Sequence, residues 1–128
     1  MYLKGGIILK YVWSTLRVKD LEESIRFYSE VIGLKIQGRI SQGDEVEICF
    51  LGDGETKIEL IYDNEFNNEC TGEGISIGFE VESLNEFMDF LNEKRIEIHS
   101  GPFSPVPKFR FLFITDPSGY KVQVVEKR

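Results

Sequence analysis

The sequence predicts an α+β fold made of two copies of a βαβββ module. The first observation is the stretch Trp13–Leu34, where a half-buried strand pattern runs into an amphipathic helix pattern that stops at Gly33. Asp20 and Glu23 form a capping box at the start of that helix. The second observation is that residues 79–98 repeat this pattern sixty-three positions later. A strand–helix unit that occurs twice predicts a duplicated module.

The repeat continues into the later strands of each copy. Lys57–Ile61 is echoed by Lys121–Val125 at an offset of sixty-four, and each segment follows a glycine-bearing turn. A solenoid array needs more than two copies and a shorter repeat than about sixty residues. The sequence therefore favours two equivalent modules that together make one domain.

Each module is predicted to contain one strand, one helix and three further strands. In the first module, residues 11–63, the predicted strands are 11–18, 35–40, 46–51 and 57–62, and the helix is 20–32. In the second, residues 74–128, the predicted strands are 74–82, 96–99, 109–115 and 120–126, and the helix is 84–94. Turns at 43–44, 52–54 and 116–119 separate strands. Three prolines predict a loop over 101–107, because proline cannot donate to a central ladder.

The ends of the modules carry two further predictions. Residues 1–10 form an N-terminal arm or extra strand, with Gly5 and Gly6 as a hinge. Residues 63–73 are polar and glycine-bearing, and they are interpreted as the linker between modules.

Composition limits the partners. The chain has 128 residues, 41% of them hydrophobic, and a net charge of −7. This charge argues against nucleic acid and against an anionic membrane, since both need a basic surface. The N-terminus has neither a signal-peptide nor a membrane-span pattern, so a cytoplasmic location is predicted. Cys49 is interpreted as a small buried side chain, and His99 as a surface or packing residue.

Three segments resemble a known family. LRVKDLEESIRFYSEVIGLKI, KIELIYD and TDPSGYKVQVVE are similar to the glyoxalase I, bleomycin resistance and extradiol dioxygenase superfamily, also called vicinal oxygen chelate proteins. The resemblance covers residues 11–127 and looks closest to the lactoylglutathione lyase branch. It implies that the two modules form a curved mixed sheet with a cleft, and that the protein is a homodimer.

The resemblance also implies where a metal would bind. The family's metal enzymes use four ligands, two per module, and these positions fall on Trp13, Glu59, Gly74 and Gln123. Glu59 is the only unaltered ligand, Gln123 is a weak neutral substitute, and Trp13 and Gly74 supply no donor atom. A catalytic divalent metal needs at least three protein ligands. No metal cofactor is therefore predicted; the alternative is a divalent metal such as nickel or zinc, with help from a second subunit or from Glu73.

Other residues are predicted to line the cleft. Arg17 matches a family arginine that grips an anionic substrate group, and Asp63 puts a carboxylate where that branch has asparagine. Phe103 is a candidate lid residue. Phe109, Phe111 and Phe113 form a stripe, interpreted first as core against a helix and second as an apolar wall for a flat ligand.

Three functions are consistent with these residues. The preferred one is a metal-free small-molecule binding protein whose aromatic, acidic cleft suits a cationic or polar aromatic ligand stacked on Trp13. The second is a metal-dependent lactoylglutathione lyase. The third is a metal-free enzyme with Glu59 as catalytic general base. Enzyme status stays open between these readings.

Overall fold

The computed structural model describes residues 8–65, 72 and 74–128. The chain divides into two compact units, Met1–Glu69 and Cys70–Arg128. Most of the predicted arm and most of the predicted linker lie outside the described residues, as do Cys70 and Glu73. We describe each unit by itself as module 1 and module 2.

Module 1 is a four-stranded mixed sheet with one helix. Its elements are β1 Trp13–Arg17, α1 Leu21–Arg26 with a π-helical extension Phe27–Val31, β2 Ile36–Gln42, β3 Val46–Leu51 and β4 Lys57–Asp63. The strand order is β1-β4-β3-β2, and β1 is parallel to β4 while the other pairs are antiparallel. This is the predicted βαβββ topology.

The helix of module 1 begins as predicted and ends differently. Asp20 caps it, since its side chain accepts a hydrogen bond from the Glu23 N–H at 3.0 Å. A continuous α-helix over 20–32 is wrong, because the chain widens to a π-helical turn in which the Ile32 N–H reaches the Phe27 carbonyl, 3.2 Å away. The Ser29 hydroxyl donates to the Ile25 carbonyl at 2.7 Å and competes for the bond an α-helix would use.

The core of module 1 lies between this helix and one face of the sheet. Leu60 and Leu51 on the strands are fully buried, and so is Tyr28 on the helix. Cys49 is also buried there, which confirms its interpretation as a packing residue. Burial raises the pKa of the Cys49 thiol.

Module 2 repeats this arrangement. Its elements are β5 Ser76–Val81, α2 Leu84–Glu93, β6 Ser100–Val106, β7 Phe109–Thr115 and β8 Lys121–Lys127, in the sheet order β5-β8-β7-β6. The first strand is again parallel to the last. Leu84 and Leu91 of α2 are buried together with Leu112 and Val122 of the sheet. Two four-stranded mixed sheets, each with a short helix, confirm the predicted fold class.

One strand of module 2 was predicted in the wrong place. The segment 96–99 is not a strand, and the proline-bearing segment 100–106 forms β6 where a loop was predicted. The prolines are tolerated because, among the described strands, β6 is at the edge of the sheet and has β7 as its one neighbour. Its pairing is irregular, with register shifts on both sides of Phe103.

The start of α2 depends on a carboxylate from the last strand. Glu126 accepts the backbone N–H of Leu84 at 2.8 Å, and the Arg128 guanidinium donates to its other oxygen at 2.9 Å. The Leu84 N–H is one of the helix's first donors, which have no partner inside the helix. This hydrogen bond, and then that from Arg128, lowers the pKa of Glu126 below the usual range of a glutamate.

We expect Glu126→Gln to lower the free energy of unfolding at neutral pH. A carboxyl group whose pKa is lower in the folded state stabilises the protein when the pH is above its unfolded-state pKa. This contribution is lost as the pH falls through the folded-state pKa. In urea unfolding followed at several pH values, the two proteins should therefore converge only as the pH falls through the lowered folded-state pKa of Glu126. Glu97→Gln, at an exposed site, removes the same charge and should show no such convergence. A constant difference at all pH values would contradict this role.

Candidate functional site

Strand alternation gives module 1 a sheet face that points away from α1. Leu16 of β1 and Leu60 of β4 are buried on the helix side, so their neighbours in the chain point the other way. We call this other side open face 1. Open face 1 carries four residues that were predicted to line the site, Trp13, Arg17, Glu59 and Asp63. It also carries Thr15, which was not predicted. The structure thus brings the four predicted residues of module 1 to one surface.

Glu59 is held on this face by a hydroxyl that the sequence analysis missed. Thr15 pairs with Glu59 across the parallel β1–β4 ladder, and its Oγ1 donates to Glu59 Oε1 at 2.5 Å. On the other side of β4, Glu59 is paired with Phe50 of β3. A hydroxyl donor to an ionised carboxylate is a strong, short hydrogen bond that fixes the acceptor. Glu59 is therefore an oriented, half-buried carboxylate.

Trp13 is not a core residue. Its side chain is 47% exposed and makes an edge-to-face contact with Phe50, with ring centroids 5.3 Å apart. The two rings line an open pocket of about 460 Å³ together with Ile40 and Gly38 of β2. This pocket has the size and apolar character of a small-molecule site.

The predicted anion-binding arginine has a partner within its own module. Arg17 Nη1 lies 3.7 Å from Asp63 Oδ2, with both side chains partly exposed. Asp63 Oδ1 also accepts the Glu65 N–H at 3.0 Å, which closes the turn after β4. The two charges offset each other, so Asp63 contributes less negative charge to open face 1 than the sequence suggested.

Module 2 has an equivalent face, open face 2, which carries Gln123. Gln123 lies beside Gly78 on β5 and Phe113 on β7. The side-chain oxygen of Gln123 lies next to Gly78. A Cβ built on Gly78 would be 3.6 Å from this oxygen. The amide of Gln123 is half-buried between these neighbours.

The strand register gives the third ligand-equivalent position to Ser76. Trp13 pairs with Lys57 in module 1, and the equivalent pair in module 2 is Ser76 with Lys121. Gly74 precedes β5 in a turn, with φ of +81°. The resemblance had implied Gly74, but strand pairing makes Ser76 the equivalent of Trp13. Gly74 and Ser76 do share a shallow depression of about 220 Å³.

The phenylalanine stripe lies on open face 2. Leu112 and Ile114 are fully buried against the helix, and Phe109 is 40% exposed. The first interpretation, core against a helix, is therefore wrong, because the intervening residues Leu112 and Ile114 take the helix side. Phe103 pairs with Phe111 on this face, with ring centroids 5.5 Å apart, and so belongs to strand β6.

The donor atoms at the four ligand-equivalent positions do not fit a divalent metal. Glu59 offers a carboxylate, Gln123 an amide oxygen, Ser76 a neutral hydroxyl and Trp13 no acceptor at all. Nickel and zinc sites in proteins are built from imidazole, thiolate and carboxylate groups. Among the described residues there is no group of three or more His, Cys, Asp or Glu side chains that could hold a metal ion. His99 is exposed, which agrees with its interpretation as a surface residue.

Several residues of these faces escaped the sequence analysis. Thr15 could have been found by aligning β1 with β4 as parallel neighbours, because that register pairs Thr15 with Glu59. Phe50 and Ile40 are ordinary apolar residues that no sequence motif marks. The order of the strands places them in the pocket that Trp13 also lines. Lys10 and Lys57, which line the same pocket, were not predicted as site residues from the sequence.

Comparison with known proteins adds a family match. A sequence model of the Glyoxalase/Bleomycin resistance protein/Dioxygenase superfamily matches residues 10–124. The Bacillus subtilis protein YwbC, which is uncharacterized, is 44% identical over 128 residues, covering 88% of this chain and 93% of YwbC. Lactoylglutathione lyase of Salmonella typhimurium is 28% identical over 129 residues, covering 94% of each chain.

Solved structures agree with the fold. The trypanothione-dependent glyoxalase I of Leishmania major superposes with a TM-score of 0.79 and 26% identity, covering 93% of this chain and 87% of that one. Neither helix in the described part of this chain is long and apolar enough to cross a membrane. The fold predicted from the sequence resemblance is confirmed.

Proposed function

We infer that this chain, which belongs to the glyoxalase/bleomycin resistance protein/dioxygenase superfamily, is a small-molecule binding protein that works without a catalytic metal. The observation that carries the proposal is the state of the four ligand-equivalent positions. One carboxylate, one amide, one hydroxyl and one indole cannot supply the three good ligands of a catalytic metal site. We derive no reaction step through a metal.

Trp13 supports a binding role. It replaces a metal ligand by a ring that is half exposed and borders an apolar pocket of about 460 Å³. An aromatic face of this kind stacks on flat apolar ligands. The stacking contributes binding free energy beyond that of the apolar area it buries. Glu59, fixed by Thr15 at 2.5 Å, adds one oriented hydrogen-bond acceptor on the same face.

Similarity to lactoylglutathione lyase supports a second candidate. The 28% identity spans 94% of both chains, and Glu59 and Arg17 lie in sequence segments that resemble that branch. A lyase assay with added nickel or zinc separates this candidate from the first. Turnover without metal that is lost in Glu59→Gln would instead support the third reading, with Glu59 as general base. A homodimer and a cytoplasmic location remain predictions alongside each candidate.

Metal-independent binding can be tested at the single tryptophan. Because the chain has one Trp, its indole N–H gives one identifiable signal in a proton–nitrogen NMR spectrum. We expect naphthalene-2-carboxamide, added with excess EDTA, to shift this signal in a saturable way, with a dissociation constant of about millimolar or tighter. A shift that appears only after nickel or zinc is added would contradict the proposal.

A further inference from the structure

We propose that the pocket beside Trp13 binds a flat aromatic anion, with the ring against Trp13 and Phe50 and the anionic group paired with Lys57 and Lys10. This inference rests on the proposed function and names the ligand class. It reverses the sequence expectation, which was a cationic or polar aromatic ligand in an acidic cleft.

The walls of the pocket fit an aromatic ring. Trp13 and Phe50 meet edge to face at 5.3 Å and leave apolar surface towards the pocket. Ile40 and Val12 complete the walls and are 50% and 45% exposed, so they have apolar area left to cover. At about 460 Å³ the space is at the lower end of the range for small-molecule sites and suits a ligand of one or two rings.

A glycine, Gly38, is one of the residues that line the pocket. Gly38 follows a register shift between Ile36 and Gly38 where β2 pairs with β3. A Cβ built on Gly38 would meet no atom within 4 Å, so this position borders open space. A ring that lies on Trp13 can therefore approach the β2 backbone closely.

The charges at the rim favour an anion. Two lysines, Lys10 and Lys57, line the pocket with a single acid, Glu55. Within the described part of the chain, neither lysine forms an ion pair. Arg39 also lines the pocket, but its guanidinium is bound to Glu22 at 2.5 Å and is neutralised there.

The carboxylate that suggested a cationic ligand is not at this pocket. Glu59 is not among the residues that line it, and its Oε1 is occupied by Thr15. Asp63 is paired with Arg17 at 3.7 Å. The net charge of −7 belongs to the whole chain and is screened beyond about 8 Å at physiological salt. The charged groups that line the pocket decide the preference, and they carry an excess of positive charge.

The test compares three ligands that share one ring system. Calorimetric titrations with naphthalene-2-carboxylate, its neutral amide and 2-naphthylmethylamine are run with EDTA present. We expect the carboxylate to bind about three- to tenfold more tightly than the amide, and the amine more weakly than both. Raising sodium chloride should weaken carboxylate binding and leave amide binding unchanged.

Charge-removing variants locate the effect. Lys57→Met and Lys10→Met keep most of the side-chain stem, and each is expected to weaken carboxylate binding about two- to fivefold without changing amide binding. The double variant should bind the carboxylate and the amide equally. Lys108→Met removes the same charge at an exposed site outside the pocket and should leave both affinities unchanged.

The outcomes separate the ligand class from the underlying function. If the amide or the amine binds at least as tightly as the carboxylate and moves the Trp13 signal, the anion proposal is overturned while the metal-free pocket stands. If no naphthalene compound binds with EDTA present, both are overturned. Equal losses in Lys108→Met and Lys57→Met would also overturn the proposal, since the attraction would then be non-specific.

Discussion

Replacing Leu112 by Ala is expected to lower the free energy of unfolding by about 3 kcal/mol, the larger of two stability changes compared on one strand. Leu112 is fully buried on the helix side of β7, so the truncation removes apolar contacts and leaves a cavity. Phe109→Ala, on the open side of the same strand, is expected to cost about 1 kcal/mol or less, because its side chain is 40% exposed. Urea unfolding with a shared m-value measures both changes.

This comparison tests which face of the module 2 sheet is the core. A phenylalanine has more apolar surface than a leucine, so residue size alone predicts the opposite order. If Phe109→Ala were as damaging as Leu112→Ala, the phenylalanine stripe would be core and open face 2 would not be a binding surface. Agreement would leave the stripe free to contact a ligand or a partner.

Replacing Trp13 by Ala is expected to weaken binding of naphthalene-2-carboxamide about tenfold or more. Losing a large aromatic wall removes about 1.5–3 kcal/mol of apolar contact and stacking. Since Trp13 is 47% exposed, its loss should leave the fold intact, which the far-ultraviolet circular dichroism spectrum checks. Tyr11→Ala removes another exposed aromatic ring two residues earlier, outside the pocket lining, and should leave binding unchanged.

Calorimetry on the two variants measures this effect. A loss in Trp13→Ala alone places the ligand at open face 1. If Tyr11→Ala weakened binding as much, or if neither did, the ligand would bind elsewhere and Trp13 would have no role in it.

The topology of each module was predictable because its signals are local. Capping side chains at Asp20 and Ser83 accept the expected N–H groups of Glu23 and Glu86 at 3.0 and 3.2 Å. Strand alternation placed β3 and β7 at their observed bounds. These features depend on residues a few positions apart, which the sequence displays directly.

The errors came from information that is not local. Alternation shows that two faces exist, but only the position of α2 decides that Leu112 and not Phe111 lies on the helix side. Prolines excluded a central strand, yet β6 is at the edge, where their missing N–H groups do no harm. The third ligand-equivalent position moved from Gly74 to Ser76 because strand register, which the sequence does not display, sets the equivalent pair in module 2.

The charge of the candidate site shows the same limit. Counting Glu59 and Asp63 in the sequence predicted an acidic cleft. In the structure Asp63 is paired with Arg17 and Glu59 does not line the apolar pocket, whereas Lys10 and Lys57 do. Which charges are paired is a property of strand register and side-chain direction, and net charge does not reveal it.

The most direct test of the metal-free account is a calorimetric titration of chelator-stripped protein with nickel and with zinc. We predict no stoichiometric tight binding, and the same weak response in Glu59→Gln as in the unmodified protein, since one carboxylate cannot hold a catalytic metal. Tight binding at one metal per chain that disappears in Glu59→Gln would contradict the account and favour a metal-dependent lyase.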